Sequence, residues 1–249
     1  MPGPRTRTVL VFSGLDPSGG AGIAADLCAI AAHGVHALPI VTALTVQDHN
    51  RVQALEPVAA DLLTRQALAL EGAVHIDAVK IGIPGNRANA EAIAECIVRL
   101  RRRQPALPVV LDPVLASGHG DALGQGDAVA ALAPLLALVT VVTPNLGESL
   151  LLDTSACRHV LVTGGHGSGP QVVNRWHGEG REQEWRWPRL AGAFHGSGCT
   201  LAAAIAARLA LGEAIPEALA AAQAYTQRTL ALAFFIGAGQ TIPRRFFEY

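Results

Sequence analysis

Short apolar runs and alanine-rich stretches alternate along this chain, and that alternation leaves few folds open. The runs "TVLVF" (8–12), "ALPIVTALTV" (37–46), "DAVKIGI" (77–83), "PVVLDPV" (108–114), "LVTVVTPN" (138–145) and "RHVLVTGG" (158–165) have strand length, and the segments 22–33, 58–71 and 87–103 have helical length and composition. Strands that are apolar throughout, each followed by a helix, predict a mostly parallel sheet covered on both faces, with right-handed crossovers. The expected fold is therefore a three-layer α/β/α sandwich. The segment 171–187 departs from this rhythm. It reads as two short strands around the turn "HGEG", an antiparallel hairpin at one edge. Long helices at 198–211 and 216–235 follow, and no internal repeat or linker interrupts the chain, so residues 1–249 are expected to form one domain. In such a fold, binding sites gather at the carboxyl ends of the strands.

Composition narrows the function classes. With 249 residues and half of them hydrophobic, the chain can bury a large core. No stretch approaches the ~18 unbroken apolar residues of a membrane span, and the first residues lack the pattern of a signal peptide. A cytoplasmic location is expected. Cys28, Cys96, Cys157 and Cys199 lie far apart, which predicts reduced thiols rather than disulfides or a zinc site. The formal net charge is −1, and the one dense basic run, Arg101 to Arg103, reads as a solvated helix end, so no nucleic-acid surface is expected. Among 19 basic residues only Lys80 is a lysine. It sits inside an apolar strand run, which requires either a buried ion pair or a reach into a site.

Two glycine-rich helix entrances compete as phosphate cradles. The first, "FSGLDPSGGAGIAADL" (12–27), nearly matches a Walker A loop but has Gly20 and Ala21 where Lys and Ser or Thr are needed. It also fits a relaxed dinucleotide fingerprint at Gly20, Gly22 and Ala25, without the acidic residue expected at the end of the second strand. A tight structural turn or the floor of a small-molecule pocket fits as well. The second entrance, "HGSGCT" (195–200), presents the free N–H groups of Ser197, Gly198 and Cys199 at the positive end of a long helix, an anion hole. An ordinary Ser197 N-cap is the plainer alternative. A thiol in a first helical turn is expected to have a lowered pKa and so to act as base or nucleophile; the alternative is a small buried hydrophobe.

Together these segments resemble the hydroxymethylpyrimidine and phosphomethylpyrimidine kinases of thiamin biosynthesis, a branch of the ribokinase-like superfamily. The resemblance spans nearly the whole chain, through "SGLDPSGGAGIAADL", "VTALTVQD", "KIGI", "VVLDPV", "TPNLGE", "TGGH" and "HGSGCTLAAAIA" in that order. It implies ATP and Mg²⁺ as cofactors, an aminopyrimidine alcohol as substrate, and a homodimer. It further implies that Gly196, Ser197 and Gly198 form the anion hole and that Cys199 accepts the hydroxyl proton where most of the superfamily has an aspartate. Asn145, Glu148 and Asp112 would organise magnesium. Thr163 and Gly165, with Asp112 and Asn145, would face the nucleotide. Gln47 would pair with the exocyclic amine and ring nitrogen of the pyrimidine. Gly14 and Asp26 would add polar contacts, between the apolar walls Ile83 and Val114. Asp26 as a helix-stabilising charge, and Asp112 and Glu148 as capping or turn residues, stay open. The chain also departs from the pattern. Relatives usually carry a lysine where Thr163 stands and another in the loop after "DPV", replaced here near Gly118. Arg87 or Arg175 are candidate substitutes. The stretch 153–157 is short where relatives place a helix. A pyridoxal kinase, a ligand sensor without catalysis and, more distantly, a nicotinamide dehydrogenase are the rival readings.

Overall fold

The computed structural model describes residues 5–116, 123 and 126–246; the position near Gly118 falls outside them. In chain order the elements are β1 (Thr8–Leu15), α1 (Gly22–Ala31), β2 (His36–Gln47), β3 (Val52–Pro57), α2 (Ala60–Ala73), β4 (Ala78–Ile81), α3 (Arg87–Arg103) and β5 (Val109–Leu111). They continue as α4 (Ala128–Leu136), β6 (Val141–Val142), α5 (Leu146–Leu151), β7 (His159–Val162), β8 (Gln171–Gly178), β9 (Arg181–Pro188), α6 (Ser197–Ala210) and α7 (Ile215–Ala231).

One nine-stranded sheet has the order β3-β2-β1-β4-β5-β6-β7-β8-β9. Six consecutive strands, β2-β1-β4-β5-β6-β7, are all parallel. The hairpin β8–β9 continues it antiparallel at one edge, as the sequence predicts. The other edge brings a second antiparallel strand, β3, which the run pattern does not predict. Its six residues are exposed or half-buried, so they carry no apolar signature. Side chains of β1 alternate between two cores. Leu10 and Phe12 pack with residues of α2, α3 and α4, whereas Val9 and Val11 pack with α1, α6 and α7. Helices thus cover both faces, the third layer being α1, α7 and the alanine-rich α6, ten of whose fourteen residues are buried.

The crossover from β6 to β7 is made through the six-residue α5 alone, and the two strands still pair parallel. The last helix ends at Ala231, four residues earlier than its pattern suggests. From there the chain returns toward the loop before α6 through bridges of Phe234 to Ile242 and Phe194 to Thr241. Strand β1 has β2 on one side and β4 on the other, reached by helices on opposite faces. The carboxyl end of β1 is therefore the switch point of the sheet, where a crevice opens between diverging loops.

Candidate active site

A cavity of about 530 Å³ occupies that crevice, a size suited to small-molecule ligands. Of the fourteen residues the sequence nominates, all but Asp26 line it. The floor comes from the ends of β1 and β4. A Cβ on Gly14 would sit 2.6 Å from Ile83 Cδ1, so the glycine lets Ile83 close over the strand end. Gln47 ends β2, where the pairing with β3 shifts register between Val46 and Gln47. Such a bulge re-aims a side chain, here at the cavity rim. Val114 follows a tight turn closed by its N–H on Asp112 O at 2.9 Å.

The anion hole is the N-terminus of α6. Gly196 is its N-cap at φ 79°, a left-handed conformation natural to glycine. A Cβ there would also lie 2.1 Å from Gly20 O, so no other residue fits. The helix first takes up an amide at Thr200, whose N–H donates to Gly196 O at 3.0 Å. The N–H groups of Ser197, Gly198 and Cys199 are left to the cavity that these residues line. Ser197 is thus not the cap. Asp112 lies directly beneath, with Oδ2 3.4 Å from where a Gly198 Cβ would stand.

The electrostatics correct the expectation for Cys199. Burial pushes its thiol up to about 12, with the Asp112 and Asp26 charges adding to the rise, while Lys80 and the Gly22 N–H oppose it. The helix N-terminus does not outweigh removal from water, so the thiol is protonated in the substrate-free protein. Burial likewise lifts Asp112 to about 6 against the pull of Lys80, and lifts Glu148, with Asp112 as the next cause, to about 7.

Asn145 and Glu148 form a capping box on α5. Asn145 Oδ1 accepts from Glu148 N at 3.0 Å, and Glu148 Oε2 accepts from Asn145 N at 2.8 Å. Capping and cavity lining are both realised in Glu148. Asp112 Oδ2 is buried without a hydrogen-bond partner. Two buried carboxylates with raised pKa values, one holding an orphaned oxygen, fit a hard divalent cation completed by waters and phosphate oxygens. No group of three or more His, Cys, Asp or Glu is placed to hold a metal ion among the described residues, and Asp112 and Glu148 would supply part of a shell.

Asp26 lies behind the residues that line the cavity, with its Oδ1 lacking a hydrogen-bond partner. Its carboxylate is fully buried and meets Lys80 Nζ at 2.8 Å. This settles the role of Lys80 as half of an internal ion pair. Burial alone would lower the lysine pKa, but Asp26, with Cys199 and Asp112 nearby, holds it above its ordinary value. Nor do the proposed substitutes for the missing lysines face the site. Arg87 pairs with Glu91 and Arg175 with Glu184, each at 2.8 Å, and neither lines the cavity. The arginines among the described lining residues are Arg51 and Arg189.

Several lining residues escape sequence reasoning. Thr163 and Gly165 line the cavity, and the glycine-rich loop after them is held by Arg189, which donates to Gly169 O and Gly165 O at 2.7 Å and to Gln171 O at 3.2 Å. Buried Asn174 and Gln223 and half-buried Trp187 form a polar cluster at the same end, with Gln223 Oε1 accepting from Asn174 Nδ2 at 2.9 Å and Trp187 Nε1 at 3.2 Å. Asp16 and His195 join the two glycine entrances at 2.8 Å. Burial would raise the Asp16 pKa, yet bonds from His195 and Ser18 hold it below the usual carboxylate value. Of these, only Asp16 carried a signal, since D-P-S announces a side-chain-closed turn.

The family model described as Phosphomethylpyrimidine kinase matches residues 16–156 and 149–243. A hydroxymethylpyrimidine/phosphomethylpyrimidine kinase of Rhizobium meliloti is 37% identical over 94% of this chain and 94% of its own length. Among solved structures, an ADP complex of Bacillus subtilis pyridoxal kinase superposes with a TM-score of 0.86 at 25% identity, covering 97% of this chain and 98% of that one. A phosphomethylpyrimidine kinase of Clostridium difficile gives 0.73 at 27% identity, over 91% of this chain and 100% of its own. By sequence over nearly its full length, and by fold, this chain belongs to the phosphomethylpyrimidine kinase family.

Proposed function

We propose that the chain transfers the γ-phosphoryl group of ATP to the hydroxymethyl group of 4-amino-5-hydroxymethyl-2-methylpyrimidine, and then phosphorylates the monophosphate, in thiamin biosynthesis. The observation that carries this is the meeting, in one cavity, of an amide-bearing heterocycle pocket with the free N-terminal amides of α6. Gln47 can donate to a ring nitrogen and accept from an adjacent exocyclic amine, while Ile83 and Val114 hold the flat ring. The amides of Ser197, Gly198 and Cys199 receive the charge that develops on the transferring phosphoryl oxygens. The chemistry Mg²⁺ supplies when held by Asp112 and Glu148, with Asn145 orienting Glu148, is neutralisation of the phosphates and of the carboxylate charge beside Cys199. Cys199 gives its own proton to cavity water before the alcohol binds, a loss that Lys80 and the Gly22 N–H favour, and the thiolate then accepts the hydroxyl proton. Positioning dominates phosphoryl transfer, so a base engaged only during reaction suffices. The homodimer belongs to this proposal and is tested by sedimentation.

A pyridoxal kinase is the second reading, favoured by the close superposition on the Bacillus subtilis enzyme. Steady-state turnover of the pyrimidine alcohol, its monophosphate and pyridoxal with ATP decides between them. The pyrimidine alcohol is expected to show the highest kcat/KM; higher kcat/KM for pyridoxal would replace the assignment.

A further inference from the structure

Asp16, His195 and Arg245 take part in none of the steps above, yet they are where the two glycine entrances become one object. Asp16 is buried in the loop after β1. Four donors converge on its carboxylate: Ser18 N at 2.8 Å on Oδ1, and Ser18 Oγ at 2.9 Å, Ala21 N at 2.7 Å and His195 Nε2 at 2.8 Å on Oδ2. The first three bonds shape the acceptor loop itself. The fourth leaves it, because His195 immediately precedes the anion hole and is 179 residues away in sequence.

Packing at the join is backbone against ring and backbone. A Cβ on Gly20 would stand 2.3 Å from His195 Cδ2, so the imidazole lies against the loop it bonds. His195 N donates to Thr241 O at 2.9 Å, which fixes the other side of the residue. Arg245, also buried, adds a parallel tie: Nη2 donates to Gly20 O and to Gly196 O, and Nε to Thr200 Oγ1 at 2.9 Å. The same acceptor loop carries Gly14, whose carbonyl Gly22 approaches so closely that a Cβ would lie 2.3 Å away.

We propose that the Asp16–His195 pair is a positioning device for phosphoryl transfer, holding the anion hole of α6 at a fixed offset from the acceptor pocket. The inference rests on reading the cavity as a phosphoryl-transfer site. The physical reason is that attack requires the acceptor oxygen and the phosphoryl group to meet within a fraction of an ångström, and a misplacement of about 1 Å costs roughly 100-fold in rate. A charge-assisted bond to a carboxylate that is itself buried is stiff enough to set that distance. Asp16 also fixes the imidazole tautomer with the proton on Nε2, since the carboxylate can only accept. His195 and Asp16 are thus positioning residues rather than participants in bond making.

The test compares His195→Ala, His195→Gln and Asp16→Asn with the unmodified protein. His195→Ala is expected to lower kcat by about 100-fold, with KM for ATP and for the alcohol changed less than about threefold. Affinity for ADP with aluminium fluoride, a mimic of the transferring phosphoryl group, should fall in step with kcat while affinity for ADP alone holds. His195→Gln keeps an N–H donor of similar reach and should recover at least tenfold of the loss; Asp16→Asn should resemble His195→Ala. Unchanged kcat in His195→Ala, equal losses in ADP and mimic affinity, or no recovery in His195→Gln would each overturn the proposal. If the unmodified chain turned over neither the pyrimidine nor pyridoxal, the fault would lie in the substrate assignment, and the mimic-against-ADP comparison would still read the tie.

Discussion

At the scale of single residues, Cys199 and Gln47 separate chemistry from recognition. Replacing Cys199 with Ala should lower kcat strongly and leave both KM values nearly unchanged, because a proton acceptor contributes in the transition state and little to ground-state binding. Cys199→Asp, which supplies a ready carboxylate, should retain activity; steady-state kinetics of the two variants decide whether the thiol matters. Gln47→Leu should weaken pyrimidine binding by on the order of 1–3 kcal/mol by leaving two polar ring groups unpaired. Pyridoxal binding, measured alongside by calorimetry, should lose less. The Lys80–Asp26 pair gives a stability prediction instead. Lys80→Met strands a fully buried carboxylate and should cost about 3–5 kcal/mol in urea unfolding. The double variant Lys80→Met with Asp26→Leu should recover much of that loss, and a double variant as unstable as the single one would show that the pair does more than neutralise itself.

At the scale of elements, the amino-terminal edge of the sheet is held by one carboxylate. Asp77, just before β4, accepts from Arg5 at 2.7 and 2.8 Å, from Arg7 at 2.8 Å and from Thr8 N, the first residue of β1, at 2.9 Å. Burial opposes its ionisation, but the Arg5 and Arg7 bonds hold its pKa well below the ordinary value. A carboxylate depressed in the folded state stabilises above its unfolded pKa of about 3.9 and loses that contribution as pH falls further. Asp77→Asn should therefore be less stable than the unmodified protein at pH 7, with the difference shrinking below about pH 4; unfolding curves across that range check it. Elements also show what a sequence discloses. The six parallel strands were legible because burial on both faces requires continuous apolar runs, and α6 because its glycines and alanines permit close packing. Strand β3 was not, since an exposed edge places no demand on hydrophobicity. The Lys80 partner of Asp26 was illegible for a related reason: α1 is apolar on most sides, so spacing alone does not say which side meets the buried lysine. Arg245 and His195 owe their roles to contacts across most of the chain, which no local pattern records.

At the scale of the whole molecule, charge around the cavity bears on the relative rates of the two proposed phosphorylations. Lys80 is internal, Arg87 and Arg175 are paired elsewhere, and Thr163 supplies no charge. A phosphate monoester acceptor brings roughly −1.5 to −2 charges to meet the phosphates of ATP. Charge-assisted contacts of about 1.5–3 kcal/mol each then become limiting, so turnover of the monophosphate should be at least about tenfold slower than that of the alcohol, and Thr163→Lys should narrow the gap. Equal rates in the unmodified protein would show that Arg51 or Arg189 already provides the missing charge. The long tie from Arg245 back to Gly20 carries a different consequence, one of timing. The two residues are 225 positions apart, which at ribosomal rates of about 5–20 residues per second is roughly 10–45 s of synthesis. A nascent chain can assemble β1, its glycine loop and α1 early, yet the helix entrance that meets them is made late and is pinned last. Until Arg245 has been made, this tie is missing, and the acceptor floor and the anion hole are without one of the bonds that fix them to each other.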